Sequence, residues 1–437
     1  MNVQVESSGP CRRHLRIEIP ADRVKAELNQ VMDAYLQHAK IPGFRPGKAP
    51  RKMVEKRYEK QIHKEIKERL VPEAYQGAVK ENQLRTVAVI DVDDPALTTE
   101  APFVFNVVVD VQPEFDMPSY QSLTIKAQPV EVGDAQVEEV LTSIRSRNAK
   151  FEDAPEGAVV ASGDLVSIDT DATAGGQPLA DTVPELKDLV AGKDFWLFAD
   201  DEQFLLKELS QGLVGLTQGA QTEMEVPFPE TFPNEKVKGI TGTFKVTVKG
   251  IRKKVLPEID DAFIKELQAE SLDDLNRRIR EDLTRMKEDQ EKQRQKNDAV
   301  RQLLDAVKMD LPESVVQEET SRNVYDIVSE NSRRGVPNDE IESSREQIYQ
   351  AASKSAEEAV KLKYILLAIA EAESLAVNDE QIQQRIAQMA AASRRDPKKL
   401  REDLLKDNGQ GHLRLKERLL MDLALETVMQ TATIQAA

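Results

Sequence analysis

Ile41-Pro42-Gly43-Phe44-Arg45-Pro46-Gly47-Lys48-Ala49-Pro50 packs three prolines and two glycines into ten residues. The prolines stiffen the loop, and Gly43 and Gly47 permit turns closed to other residues. A loop built this way presents Phe44, Arg45 and Lys48 outward. A ring beside a guanidinium can fill a crevice while the fork pairs with carboxylate or phosphate, and Lys48 adds a point charge. A loop that merely joins two helices has no use for an exposed Phe-Arg pair.

Both flanks of the loop read as helix. Before it, Val24, Leu28, Val31 and Tyr35 form one apolar stripe, with Pro20 at the helix mouth. After it, Tyr58, Ile62, Ile66 and Leu70 share one face, and Lys56, Lys60, Lys64 and Lys67 the other. Further out, Leu15, Ile17 and Ile19 alternate with polar residues, as do the apolar positions of Phe103–Val111, and Thr86–Val92 is a third strand candidate. Strands flanking a helical hairpin predict an α+β domain ending near Pro118.

A Pro-rich passage (Pro113, Pro118, Pro129) then leads to a predicted helix over Asp134–Phe151. Residues 155–254 are rich in Gly, Pro and β-formers. Runs such as Leu165–Asp169 and Phe244–Ile251 predict an antiparallel β unit with a short helix near Phe204–Gln211. From Pro257 onward the pattern is helical: a first helix opens at Ser271 with a capping box to Asp274 and reaches about Lys308. Its stretch Lys287–Asp298 (KEDQEKQRQKND) holds no apolar residue, so it crosses solvent or lies on a loosely covered face. Helices are predicted over Glu313–Ser332, Asp339–Ala372, Asp379–Ala392, Pro397–Lys406 and Leu413–Met429, with Leu362–Ile369 at the centre of their core. No repeat of fixed period appears.

A chain of 437 residues is expected to form two to four domains. Lys+Arg 60 against Asp+Glu 77 gives −17, which excludes a uniformly basic nucleic-acid binder but permits a local patch. Residues 40–69 are such a patch: eleven basic and four acidic side chains, a balance of +7 that leaves −24 for the remainder. Such a face is either an ordinary solvated helix surface or a dock for something anionic. One cysteine, Cys11, forbids a disulfide within the chain and fits a reducing compartment. Beside Arg12 and Arg13 it is either thiolate-prone or an inert strand residue. His14, His38, His63 and His412 are scattered, so no zinc cluster is expected. No apolar run approaches the ~18–20 residues of a membrane helix. The start, Met-Asn-Val-Gln-Val-Glu, lacks the basic and apolar regions of a secretory signal. The expectation is a cytoplasmic protein with no membrane contact.

Gly43-Phe44-Arg45-Pro46-Gly47-Lys48-Ala49-Pro50 resembles the ribosome-docking signature of the trigger factor family, ribosome-associated bacterial chaperones, with the pattern Gly-Phe-Arg-x-Gly-Lys-x-Pro. Gly43, Phe44, Arg45, Gly47, Lys48 and Pro50 match every fixed position. Pro46 stands where many members have a further Lys. The resemblance spans the chain, including the entry Leu256-Pro257-Glu258-Ile259-Asp260-Asp261-Ala262-Phe263 into the helical run. It implies an α+β multidomain protein: a ribosome-binding domain over 1–118, and a linker with a helix packing on the C-terminal domain over 119–154. An FKBP-like peptidyl-prolyl isomerase domain over 155–254 and an elongated all-α, client-cradling domain with arms over 255–437 complete it. The implied partners are the ribosome (tunnel-exit proteins and rRNA), nascent and unfolded polypeptides, and a weakly bound second copy. No cofactor is implied, and no phosphate-loop pattern for ATP is present.

An FKBP-type isomerase needs no acid, base or nucleophile. The ~18–20 kcal/mol barrier of the peptide bond falls when an apolar aromatic pocket favours the twisted amide. The resemblance places pocket residues at Leu206, Leu209, Phe232 and Phe244. The chain departs from the family at Thr170, where an aromatic is expected, and at Leu179-Ala180, in place of a Phe-Asp-like pair. It departs again at Leu206-Lys207-Glu208-Leu209-Ser210, in place of Ile-Pro-Gly-Phe-Glu. Phe195, Trp196 and Phe198 supply further aromatics; for all these rings the alternative is plain β-barrel core. The implied isomerase is weak, with no residue firmly catalytic. Three other readings remain: a free-standing prolyl isomerase, an envelope chaperone, and an RNA-binding protein using the 40–69 patch.

Overall fold

The computed structural model describes all residues except 39–40, 43, 45–47, 94, 99–100, 230–231, 233, 235, 407–408 and 437. Two compact units emerge, one of residues 1–129 with 291–437, the other of 130–290.

The first unit opens with β1 (Asn2–Ser7) and β2 (Arg12–Ile19), then α1 (Ala21–His38), α2 (Arg51–Glu81), β3 (Thr86–Val92) and β4 (Phe103–Val111). The strands form an antiparallel sheet in the order β1-β2-β4-β3. Strand alternation explains the packing: Phe103, Phe105, Val107 and Val109 of β4 are buried, together with Leu15, Ile17 and Ile19 of β2. The hairpin covers them with Val24, Val31, Ile62 and Ile66. Each such side chain, fully buried, contributes about 1.5–3 kcal/mol. β1 is a strand that the sequence reading does not include; Val3 and Val5 alternate with polar residues and are half-buried against the sheet's core. α2 departs from helical geometry at Tyr58 (φ −112°, ψ 16°). After β4 comes β5 (Thr124–Ala127).

The second unit begins with α3 (Asp134–Arg147), shorter than predicted because Asn148 caps it onto the Ile144 carbonyl at 2.9 Å. Phe151, expected in that helix, lies instead in β6 (Lys150–Asp153). The chain continues through β7 (Leu165–Ala174), β8 (Gln177–Pro178), α4 (Leu179–Thr182), α5 (Lys187–Val190), β9 (Phe195–Phe198), α6 (Lys207–Gln211), β10 (Gln221–Pro227) and β11 (Thr241–Val255). All six strands pair antiparallel, with β11 and β7 central; β6 and β10 flank β11, and β8 and β9 flank β7. α7 (Asp261–Glu266) and the first turns of α8 (Leu272–Ala306) pack with α3 through Val137, Leu141, Ile264, Leu275 and Ile279. The predicted cap of α8 is present: the Asp274 amide donates to Ser271 Oγ at 3.1 Å.

From Glu291 the same helix belongs to the first unit, where Ala299 and Leu303 are buried. Between Lys287 and Asp298 no residue is buried, so the polar stretch lies on a loosely covered face. There follow α9 (Glu313–Arg333), α10 (Asn338–Ser343), α11 (Arg345–Ala372), α12 (Asp379–Ala392), α13 (Pro397–Leu405), α14 (Gln410–Thr431) and β12 (Thr433–Ala436). The helix predicted over Asp339–Ala372 breaks at Ser344 (φ −91°, ψ 5°), after Ser343 Oγ turns back to the Glu340 carbonyl at 2.8 Å. Ile365, Leu366 and Ile369 sit in the core with Ile125, Leu303 and Val428. β12 pairs parallel with β5, so the helical region also carries a strand. Among the described residues no helix is long and apolar enough to cross a membrane, and no His/Cys/Asp/Glu group suits a metal.

Candidate functional site

The α1–α2 hairpin is braced along its shaft. Arg69 reaches Glu27 at 3.2 Å and Glu65 at 2.7 Å, Arg23 meets Glu73 at 2.9 Å, and Arg51 donates to Asn29. Toward the loop Tyr35 and Tyr58 pack at 5.6 Å, where α2 loses helical geometry. At the tip Ile41 is buried, and its carbonyl accepts from the Phe44 amide at 3.1 Å. The Phe44 ring is left 39% exposed and Lys48 is also exposed. Pro50, extended at φ −61° and ψ 136°, opens α2 and accepts from the Met53 amide at 2.9 Å. Gly43, Arg45 and Gly47 lie outside the described residues.

The cations of α2 divide into two groups. Lys52, Lys56, Arg57 and Lys60 are exposed and have no ion pair among the described residues. Farther along, Lys64 meets Glu68 at 3.7 Å and Arg69 is held by two glutamates. Four cations without an ion pair among the described residues therefore stand at the start of α2, with Glu55 and Glu59 between them.

The four predicted pocket residues are brought together, but in a closed core. Leu206, Leu209, Phe232 and Phe244 are at most 2% exposed. Phe228 wedges among them, edge-on to Phe232 at 5.0 Å and 6.1 Å from Phe244. A Cβ at Gly242 would meet Leu179, Phe244 and Phe228 at 3.1–3.2 Å, so even a methyl group there would require its neighbours to give by a few tenths of an ångström. Thr170 does polar work in place of the expected ring. Its hydroxyl donates to the Leu189 carbonyl at 2.8 Å and accepts from the Gly192 amide at 3.1 Å, tying α5 and its following turn to β7. Ala180 is half-buried and Lys207 exposed. Of the further aromatics, Phe195 is half-buried, whereas Trp196 and Phe198 face outward, with buried Leu197 between them. Trp196 lies beside Gly250 and under the Arg252 guanidinium at 4.9 Å, and Phe198 meets Phe151 at 5.5 Å. An open groove of about 760 Å³ runs along Asp169, Asp171, Lys193, Glu223 and Lys245, and no aromatic ring lines it.

The helical region of the first unit exposes side chains that sequence reasoning could not single out: Tyr325 on α9 (71% exposed), Tyr349 on α11, Met389, Leu405 and Leu413. On a helical wheel they read as any other stripe; only the absence of a covering neighbour distinguishes them. A cavity of about 320 Å³ adds a concave feature, walled by Phe115, Met117 and Leu367. Arg85 and Glu371 pair across its rim at 2.8 Å, and Tyr364 lines it with its hydroxyl pushed up to about 12 by burial. Nearby, Asp110 is buried. Burial pushes its carboxyl up, but Arg12 (2.9 Å) and the Ser314 amide (3.2 Å) outweigh that and hold it below the usual range. Cys11 is no thiolate: it is buried, donates to the Asp310 carbonyl at 3.2 Å, and burial raises its pKa.

Residues 1–144 match the family model described as bacterial trigger factor protein, and residues 271–430 match the model of that protein's C-terminus. The trigger factor of Opitutus terrae is 30% identical over 99% of this chain and 98% of its own length. The chain belongs to the trigger factor family. The trigger factor of Desulforudis audaxviator is 29% identical over the same shares. A solved structure described as "Promiscuous Substrate Recognition in Folding and Assembly Activities of the Trigger Factor Chaperone" covers 98% of this chain and 99% of its own, at a TM-score of 0.50 and 17% identity. At that identity the likeness speaks for the fold. A trigger factor architecture, with mixed α+β regions and a helical C-terminal part, is what the strand and helix order displays.

Proposed function

We propose that this trigger factor family member is an ATP-independent chaperone of the cytoplasm that docks at the ribosomal tunnel exit through the α1–α2 hairpin and shields emerging polypeptide with its helical region. The observation that carries the reading is the tip itself: an outward Phe44 ring on a proline-stiffened loop, beside four cations that have no ion pair among the described residues. The ring, with Arg45 next to it in sequence, suits a notch in a protein surface, and Lys48 with the α2 cations suits rRNA phosphates. Exposed Tyr325, Tyr349 and Leu413 offer an unfolded chain apolar contacts without sequence preference. Each contact is weak, which lets the client leave to fold, while tethering raises the local concentration. Self-association through the same side chains is expected to be weak for the same reason.

The test is co-sedimentation with purified ribosomes. Phe44→Ala with Arg45→Ala should leave the chain in the supernatant and its circular dichroism unchanged. Undiminished pelleting of the double variant overturns the docking reading. The middle sheet is proposed as at most a weak isomerase, because Leu206, Leu209, Phe232 and Phe244 are covered and filled. That closure also disfavours a free-standing prolyl isomerase, which acceleration of a proline tetrapeptide at an ordinary FKBP rate would revive.

A further inference from the structure

β5 is a strand held on two edges by two different means. In an extended strand alternate residues turn their main-chain groups to opposite sides. On one side the partners are side chains of α8: Gln302 donates to the Thr124 carbonyl at 2.9 Å, Arg294 donates to the Lys126 carbonyl, and the Gln128 amide donates to Glu291 at 2.9 Å. Three bonds thus brace this side, and Arg294 and Gln128 together hold the Glu291 carboxyl down at about 2. The other side, formed by Leu123, Ile125 and Ala127, is open to a strand. Residues Thr433–Ala436 fill it, in parallel register with Thr124–Ala127, and the Thr433 amide donates to the Leu123 carbonyl at 2.8 Å.

The occupant holds on by its main chain. Thr433, Ile434 and Gln435 are all exposed, Ile434 at 53%, whereas Ile125 beneath is fully buried. A four-residue parallel pair whose incoming strand leaves Thr433, Ile434 and Gln435 exposed is a weak bond and opens readily. It also makes no demand on sequence, since any extended segment carries the same amides and carbonyls.

The geometry points to this edge of β5 as a strand-docking site for extended segments of unfolded polypeptide, with Thr433–Ala436 as a displaceable stand-in from the chain itself. This rests on the chaperone reading above and gives it a specific contact. A client segment adds a parallel or antiparallel strand to an edge already braced from behind by α8, while its side chains project freely. The internal segment competes, because its tether keeps it at high effective concentration; a client held at the same molecule competes on equal terms.

The experiment uses reduced, carboxymethylated lactalbumin, which cannot fold, and a photo-cross-linking amino acid at position 126 of the full chain. Removing residues 432–437 should raise cross-linking on the order of tenfold, as expected when a tethered competitor is lost. In the shortened chain Ala127→Pro should return it to background, because proline offers no amide to the edge. In the intact chain, saturating lactalbumin should speed deuterium exchange at residues 433–436. Unchanged cross-linking from a shortened chain that keeps its circular dichroism, or exchange at 433–436 that does not quicken, overturns the proposal. Ribosomes are absent from this assay, so docking can fail while strand addition stands. A chain that pellets with ribosomes and binds lactalbumin without touching position 126 refutes strand addition alone.

Discussion

Phe44 and Phe244 both fall in patterns tied to function, and the fold treats them oppositely. Phe44 stands at a turn and stays 39% exposed; Phe244 is fully buried against Phe228. The difference lies in what each function requires of its surroundings. The proposed docking ring needs only a turn and nearby charge, which the bond from the Phe44 amide to the Ile41 carbonyl and the α2 cations supply locally. A binding pocket needs empty space, and empty space in a core is filled unless many residues conspire to keep it open. Here Leu179 and Phe228 fill it, and Thr170 fastens the segment above it.

The sharpest way to break this contrast is to shorten both rings. Phe244→Ala should cost about 3–5 kcal/mol of stability, read from denaturant unfolding, with ribosome sedimentation unchanged under folding conditions. Phe44→Ala with Arg45→Ala should cost no stability but weaken ribosome binding by about a hundredfold, the effect of losing two anchors worth some 2 kcal/mol or less each. Equal behaviour of the two variants in either assay ends the distinction. Charge offers a second version of the comparison, between a buried group and presented ones. Asp110→Asn should cost about 1–3 kcal/mol, because the buried side chain then answers Arg12 without its charge, and Arg12 is partly solvated. Lys52→Glu with Lys56→Glu should flatten the salt dependence of ribosome binding, by roughly one unit of slope for each phosphate no longer engaged. Lys64→Glu, whose partner is Glu68, should change it less. The smallest effect concerns acid. Glu291 is lowered from 4.5 to about 2, so the stability it adds is present above its ordinary value and lost as pH falls through about 2. Deuterium exchange at the Gln128 amide should therefore stay slow at pH 4 and lose its protection only near pH 2.

Period and punctuation carried much of the fold into the sequence. The alternation of Phe103–Val111, the stripe from Val24 to Tyr35 and the serine cap of α8 all reappear as strand, helix and cap. The exceptions have physical causes. β1 does alternate, but with only two apolar residues, Val3 and Val5, its period is too short to stand out. Asn148 stops α3 through its side chain while the apolar pattern runs on to Phe151. β5 and β12 are four residues each and are held by main-chain bonds and by residues remote in sequence, which no local period records. At the candidate site, Phe44, Lys48 and Pro50 were legible because a loop displays its own sequence. The filling of the middle core was not, since it depends on Phe228 and Leu179 meeting Phe244 from three separate elements.

β6 and the far end of β11 lie side by side, with Lys150 opposite Val255 and Asp153 opposite Arg252. The polypeptide therefore enters and leaves the middle sheet through one pair of neighbouring, oppositely directed strands. Everything from residue 154 to residue 251 hangs from that pair as a closed excursion. Its two ends are already as near as a tight turn would bring them, so the excursion can change its contents, even lose an open pocket, while the path of the chain on either side of it stays the same.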